Sequence, residues 1–261
     1  MSAFDPAPAA AALFAARGQG GILPVLDPAI APRTEAEGAA AQRALAALMG
    51  ADPPAGFKIG ATAKRMQDYL GLTGPAAGFI PATALHETGA TLRFADFHRP
   101  GVECEIAVRL ARDLPPGPCD AARAADAVGE LFAAIEVVEN RYPDLPTFGT
   151  PSLIADQVFH AGAVIAPSGG DAWRSLDIPA LAGTLSVDGT VRDRGVAADL
   201  LGHPFNSLAW LASSGVAAAF GGLRAGQVVL LGSVTPPLWL DAPGSVTVAF
   251  PPLAEVRVTL G

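Results

Sequence analysis

The chain has 261 residues, 51% of them hydrophobic and 16% charged, with a formal net charge of −8 and a pI near 4.9. So acidic a balance, without a basic patch, excludes nucleic-acid binding, because nothing offsets phosphate repulsion. The length suits one large domain, or a small lobe joined to a main one, built on a large apolar core with no disordered tail.

Asp5 before Pro6 predicts an N-cap with proline at the first helical position, opening a helix that fades at Gly18. The first seventeen residues carry Asp5 and have no basic segment ahead of their alanine run, so no signal peptide is expected and the expected compartment is the cytoplasm. Thr34-Glu35-Ala36-Glu37 fits a capping box, and its helix runs to Gly50. Gly56 to Gly60 reads as a short strand, followed by a helix over about 63–70 with Gly71 at its end. Residues 1–100 are therefore expected as a small α/β lobe, and residues 101–261 as the main domain.

From Gly101 onward strands dominate, the first over 101–110. Asp120 caps a short helix ahead of a strand around Glu136. Strands near 159–165 and 181–187 follow, and Asp188-Gly189 makes a hairpin turn into 191–195. The stretch 200–223 lacks Asp, Glu, Lys and Arg, but His203, Pro204, Asn206 and several serines make it a buried helix over about 204–220 rather than a membrane span. Strands at 227–231, 245–250 and 255–260 complete the chain. Many short strands broken by Gly and Pro predict a curved, barrel-like β core with helices packed outside. Cys104 and Cys119 lie in no C-x-x-C pattern and are expected as free thiols.

Glu103 and Glu105 sit two apart in the 101–110 strand, so both carboxylates share one face while Val102, Cys104 and Ile106 share the other. Like charges held parallel in apolar surroundings are costly unless a cation lies between them. Oxygen donors of this kind suit Mg²⁺, Mn²⁺ or Ca²⁺; the alternative is the solvated face of an edge strand. Glu136, alone in the apolar run 131–138, adds a third carboxylate and favours the metal. Ion pairing with Arg109, Arg112 or Arg141 is the structural alternative. Lys58 stands apart because only two of the seventeen basic residues are lysines. Flanked by Phe57, Ile59 and two glycines, it is poorly placed for a solvated charge, and an ammonium can exchange a proton where a guanidinium cannot. The alternative is a structural pair with one of the three glutamates.

The segments Gly56-Phe57-Lys58-Ile59-Gly60, Val102-Glu103-Cys104-Glu105-Ile106-Ala107 and Ala134-Ile135-Glu136-Val137-Val138 resemble, in that order, the fumarylacetoacetate hydrolase superfamily. Gly195-Val196-Ala197-Ala198, Gly202-His203-Pro204-Phe205-Asn206-Ser207-Leu208-Ala209-Trp210-Leu211-Ala212 and Leu223 to Ser233 resemble one branch. That branch contains the 2-keto-4-pentenoate hydratases, the 2-oxohept-3-ene-1,7-dioate hydratases and the 4-oxalocrotonate decarboxylases. The resemblance runs from about Thr34 to the C-terminus.

It implies an α+β fold, a mixed β-roll like the fumarylacetoacetate hydrolase C-terminal domain with a small N-terminal α/β lobe, assembled as a homo-oligomer. It also implies a divalent metal, Mg²⁺ or Mn²⁺, held by Glu103, Glu105 and Glu136, with Lys58 as the active-site lysine. Arg141, Asp156, Ser233 and Thr235 match positions that contact substrate, although Arg141 has Glu139 as an alternative partner and Asp156 has a loop to hold. His203 matches the family's turn, where helix capping is the ordinary role. Two departures stand out: the acidic residue expected after the Lys58 helix is Ala76, and the arginine expected before the first metal strand is Gly101. The implied activity is a Mg²⁺-dependent lyase on a small 2-keto acid, most simply water addition as in 2-keto-4-pentenoate hydratase. Decarboxylation, C–C hydrolysis and a non-catalytic ligand-binding role are the alternatives. The hydrophobic fraction likewise predicts self-association.

Overall fold

The computed structural model describes residues 4–18 and 22–261. Helix α1 (Ala7–Gly18) begins where Asp5 Oδ1 accepts the Ala7 N–H at 3.0 Å. Helix α2 (Glu35–Leu48) is capped by Thr34 Oγ1, which accepts from the Glu37 N–H at 3.1 Å. The reciprocal arm reaches one residue further back than expected, from the Glu37 carboxylate to the Arg33 N–H. Strand β1 (Gly56–Gly60), helix α3 (Lys64–Leu70), strand β2 (Ala76–Ile80) and the short strands β3 (Leu85–Glu87) and β4 (Ala90–Leu92) follow.

The long strands β5 (Pro100–Leu110) and β6 (Val128–Glu139) are separated by helix α4 (Ala121–Ala127). Helices α5 (Leu145–Phe148) and α6 (Thr150–Ala155) lead to β7 (His160–Ile165), and the hairpin β8 (Ala182–Val187) and β9 (Thr190–Val196) comes next. Asp188 and Gly189 turn that hairpin with φ of 49° and 76°, as the Asp-Gly pair predicts. Helices α7 (Pro204–Ala212) and α8 (Gly215–Ala219) precede β10 (Val228–Ser233), β11 (Leu238–Trp239), β12 (Gly244–Ala249) and β13 (Val256–Leu260).

The strands form two mixed sheets. One runs β2-β1-β10-β5-β6-β7-β3 with β11 added to β5, and the other runs β4-β13-β12-β8-β9. Strands β8, β12 and β13 of the second pack on β5, β6 and β7 of the first. Cys104, Val246, Val248 and Phe250 are buried, and the packing is tight enough that a Cβ at Gly183 would lie 2.5 Å from the Phe250 ring and 3.0 Å from Cys104 Sγ. Even-numbered positions of β5 thus face the sheet interface, as the alternation requires, which leaves Glu103 and Glu105 for the opposite side. Helices α1, α6 and α8 each pack on α2, and α7 covers β10. The result is the predicted curved β core with helices outside. Lys58, on β1, belongs to the same sheet as the three glutamates, because β10 bridges β1 and β5.

Three local expectations are corrected. The single helix over 204–220 is two, because Ser213 and Ser214 divert backbone bonding: Ser213 Oγ donates to Ala209 O, and Ser214 Oγ caps α8 through the Ala217 N–H. Residues 76–80, to which the sequence reading assigns no element, are β2, paired antiparallel with β1 so that Ala76 faces Gly60. Gly78 permits that strand to lie against the Gln157 backbone, whose carbonyl oxygen would stand 2.5 Å from a Cβ. The short helices α5 and α6 have no counterpart in the sequence reading. Among the described residues no helix is long and apolar enough to cross a membrane.

Candidate active site

Strands β5 and β6 run antiparallel with Glu103 directly opposite Glu136, and Glu105 follows Glu103 on the same face. One carboxylate oxygen from each lies within 4.8 Å of the other two. Glu105 and Glu136 are buried, while Glu103 is partly open to a cavity. Burial, then repulsion from Glu136, pushes the Glu103 carboxyl up to about 8. Burial, then Glu136 and Glu103 together, hold Glu105 well above the usual carboxylate range. Burial opposes charge at Glu136 too, but Lys58 and His160 outweigh it and its carboxyl lies below its ordinary value.

Each carboxylate is oriented by other groups. Glu105 Oε2 accepts from the Gly232 N–H at 2.9 Å. The β10–β5 ladder shifts register between Leu230 and Ser233, and Gly232 takes φ +116° where a Cβ would meet Thr62 at 2.8 Å. Only glycine suits that bulge. Glu136 Oε1 lies 3.3 Å from Lys58 Nζ and 2.9 Å from His160 Nδ1. Burial lowers the pKa of His160, so a neutral imidazole with its proton on Nδ1 donates to Glu136. Glu136 Oε2 is buried without a hydrogen-bond partner. A convergent set of hard oxygens with one buried acceptor unspent fits a divalent cation such as Mg²⁺ or Mn²⁺.

Lys58 is 2% exposed. Besides Glu136 it donates to the Val158 carbonyl. That carbonyl belongs to an unusual turn: Gln157, Val158 and Phe159 have φ of 65°, 52° and 67° in succession. A β-branched residue in the left-handed region is rare and is sustained only by strong surrounding contacts. Such contacts surround this turn. Asp156 accepts from Arg17 Nε at 2.6 Å, from Tyr142 Oη at 2.5 Å and from Arg141 at 3.2 Å, and Gln157 Nε2 donates to Phe79 O at 2.8 Å.

Arg141 and Asp156, which the sequence resemblance matches to substrate-contacting positions, are both placed in this cluster. Arg141 bonds Glu139 at 2.6 Å and also Asp156, and neither residue is among those lining the two cavities at Lys58 and Glu103. Burial opposes the Asp156 carboxylate, but Arg17 and Arg141 hold its pKa below the ordinary value. The pair anchors the turn that presents Val158 to Lys58. His203 accepts from the Phe205 N–H at 3.0 Å, a helix cap as expected. The anticipated pair between Lys58 and a glutamate is present, yet Lys58 also faces a cavity.

That cavity, of about 410 Å³, is walled by Lys58, Glu103, Tyr69, Arg99, Phe159 and Trp239 among others. An adjoining one of about 310 Å³ shares Glu103 with it and is lined by Thr62, Asp199, Ser233 and Thr235. Ser233 Oγ donates to Thr235 O at 2.7 Å, so Thr235 offers the freer hydroxyl. Lys58, the three glutamates, Ser233 and Thr235 are thus brought together. His160, Val158 and Trp239 were missed, and no local sequence signal marks them: His160 meets Glu136 across 24 residues.

Comparison with known proteins places this geometry in context. The fumarylacetoacetate (FAA) hydrolase C-terminal family matches residues 57–260. The 2-keto-4-pentenoate hydratase of Burkholderia vietnamiensis (strain G4 / LMG 22486) is 37% identical over 206 residues, 78% of this chain and 77% of that enzyme. The 4-oxalocrotonate decarboxylase of Pseudomonas putida G7, solved with magnesium and adipate, shares the fold with a TM-score of 0.88 at 21% identity, covering 98% of this chain and 97% of that one. The fumarylpyruvate hydrolase of Pseudomonas aeruginosa, solved with Mn²⁺ and pyruvate, matches with a TM-score of 0.60 at 19% identity over 78% and 88% of the two chains.

Proposed function

Because the chain belongs to the fumarylacetoacetate hydrolase family, we propose that it is a divalent-metal-dependent hydratase of a small 2-keto acid, of the 2-keto-4-pentenoate hydratase kind. The observation that carries the reading is the convergence of Glu103, Glu105 and Glu136 beside Lys58 at one cavity. Magnesium or manganese held by the three carboxylates would supply positive charge opposite a substrate's carboxylate and 2-oxo oxygens as enolate charge develops. Glu136 takes part through Oε2, since Oε1 is occupied by Lys58 and His160. Gly232 fixes Glu105, and the Thr235 hydroxyl is the chain's hydrogen-bonding group toward substrate or water in the adjoining cavity.

Lys58 Nζ, held between Val158 O and Glu136, moves the proton to and from substrate carbon as water adds in conjugate fashion. No carboxylate assists it from position 76, where Ala76 is buried in β2. Two other acids near the site, Asp156 and Glu139, are both committed to Arg141. Decarboxylation is the second reading, favoured by that methyl at Ala76: losing CO₂ needs the same enolate stabilisation but no activated water.

Turnover of 2-hydroxypenta-2,4-dienoate, followed as loss of its ultraviolet absorbance, should require Mg²⁺ or Mn²⁺ and stop with EDTA. Lys58→Arg keeps a cation beside Glu136 and should lose about 10² to 10⁴ of the rate. Near wild-type turnover in that variant would make Lys58 a structural cation. Release of CO₂ from a vinylogous keto acid, with no hydration, would select the second reading.

A further inference from the structure

Two aromatic rings in the wall of the cavity at Lys58 and Glu103 are held there at a cost to the backbone. Phe159 lines that cavity although its φ of 67° lies in the left-handed region, which a bulky residue rarely occupies. Its ring meets the Tyr142 ring edge-on, with centroids 4.8 Å apart, and stands 6.5 Å from the Trp239 ring. Trp239 pairs with Gly101 on β5. Its indole fills the space a side chain at 101 would take, since a Cβ there would lie 2.8 Å from Cε3, and a glycine inside a strand weakens that strand. Gly101 and Glu103 are two apart on β5 and share a face, so the indole lies on the Glu103 side. A third ring, Tyr69 on α3, also lines the cavity and is 70% exposed.

The polar groups of the same wall fall into two pairs. Lys58 and Glu103 stand at the carboxylate cluster. Arg99 and Asn140 are neighbours, joined by the bond from the Asn140 N–H to Arg99 O at 3.0 Å, and Arg99 is exposed, so its charge stays in water. The remaining wall is apolar. A 2-keto acid whose head oxygens face Glu103 has two places for its tail, because Glu103 also lines the adjoining cavity with Thr62, Asp199, Ser233 and Thr235. Hydroxyls and a carboxylate suit water or a polar group there, whereas three rings suit an apolar tail here. At about 410 Å³ the aromatic cavity falls in the range that encloses drug-sized ligands, and a five-carbon keto acid would leave much of it to water. Ring walls reward a flat π-system through offset or edge-to-face contact. We propose that the substrate is a 2-keto acid whose tail carries an aromatic ring, received among Tyr69, Phe159 and Trp239. This rests on the reading of the site as one for 2-keto acids and adds the tail to it.

The test titrates 2-oxobutanoate and its 4-phenyl derivative calorimetrically into the Mg²⁺-loaded protein. The phenyl compound should bind about tenfold tighter or more. The 4-cyclohexyl derivative, of similar bulk but without a π face, should bind less tightly than the phenyl one. Trp239→Leu, which keeps an apolar side chain but removes the indole, should shrink the phenyl preference. Tyr69→Ser should shrink it too, and because Tyr69 is exposed this variant should fold even if β11 does not tolerate the first; matching far-ultraviolet spectra check both. Equal affinities for the two acids in the unsubstituted protein, a cyclohexyl compound that binds tighter than the phenyl one, or a preference that survives both substitutions overturns the proposal while leaving the 2-keto acid reading intact. Binding of none of the three compounds overturns that reading and this proposal with it.

Discussion

At the scale of single residues, the three glutamates are chemically alike but energetically different. Glu136 is compensated by Lys58 and His160, whereas Glu105 has one backbone N–H and two like-charged neighbours. Replacing each by glutamine should separate these roles. Glu105→Gln removes a repulsion and keeps an acceptor for Gly232, so the metal-free protein should unfold at a higher denaturant midpoint. Glu136→Gln leaves the buried Lys58 ammonium without its counter-charge and should cost about 3 kcal/mol. Both should weaken Mg²⁺ binding by about 100-fold or more. Unfolding in EDTA, paired with a Mg²⁺ titration of each variant, checks both signs. A destabilised Glu105→Gln would show that its charge is compensated by something other than a metal.

At the scale of elements, the turn at 157–159 connects a charge cluster to the lysine. Asp156 gathers Arg17, Arg141 and Tyr142 at the end of α6, and three consecutive left-handed residues then aim Val158 at Lys58. Asp156→Asn should therefore behave as a folding mutation, with about 3 kcal/mol lost on urea unfolding, because Arg17 loses its counter-charge and buried Arg141 keeps only Glu139. A change in KM at unchanged stability would instead support the substrate-binding role expected from sequence. The bonding of these two residues, Arg141 and Asp156, was not legible in the sequence for a physical reason. Position along the chain marks Arg141 and Asp156 as neighbours of the pocket, but which way they turn depends on Arg17, more than a hundred residues away. The same limit explains His160 and the Glu103–Glu136 register. What could be read locally was the period-two alternation of β5, which puts Glu103 and Glu105 on one face, and the lone charge in the apolar run of β6. The break at Ser213-Ser214 was legible in principle, since paired serines within an apolar helix offer caps. Strand β2 was not: its alanines and glycine carry little strand preference, and its pairing with β1 comes from packing against Gln157.

At the scale of the whole molecule, apolar side chains remain on the surface near the first two helices. Phe14 and Leu48 are 44% and 48% exposed, Ile22 and Val25 about as much, and α1 packs against α2. Exposed large apolar side chains of this kind are candidates for contact with a second copy. Light scattering at micromolar concentration should accordingly return a multiple of 26.4 kDa, and Phe14→Ser with Leu48→Ser should lower it. A monomer at all concentrations would assign those side chains no partner copy.

The stability of the whole chain should also report the state of the metal site through pH. Glu103 has a folded value of about 8 against an ordinary 4.5, and Glu105 is shifted in the same direction. A raised acid means that the metal-free folded state keeps protons the unfolded chain has released. The resulting stabilisation is complete below about pH 4.5 and is lost as pH climbs toward 8. Glu136 and Asp156 are shifted the other way, so their contribution is present above their ordinary values and disappears only as pH falls below about 4. Between pH 5 and 8.5 the first pair therefore governs, and in EDTA the melting temperature should fall as pH rises. Magnesium competes with protons for the same oxygens and binds the folded state, so it should raise the melting temperature most at the alkaline end. The EDTA and Mg²⁺ curves should open like a fan with rising pH, and Glu103→Gln should close most of it. Parallel curves would mean that Glu103 and Glu105 titrate as solvated carboxylates on an edge strand, the alternative that the burial of β5 argues against.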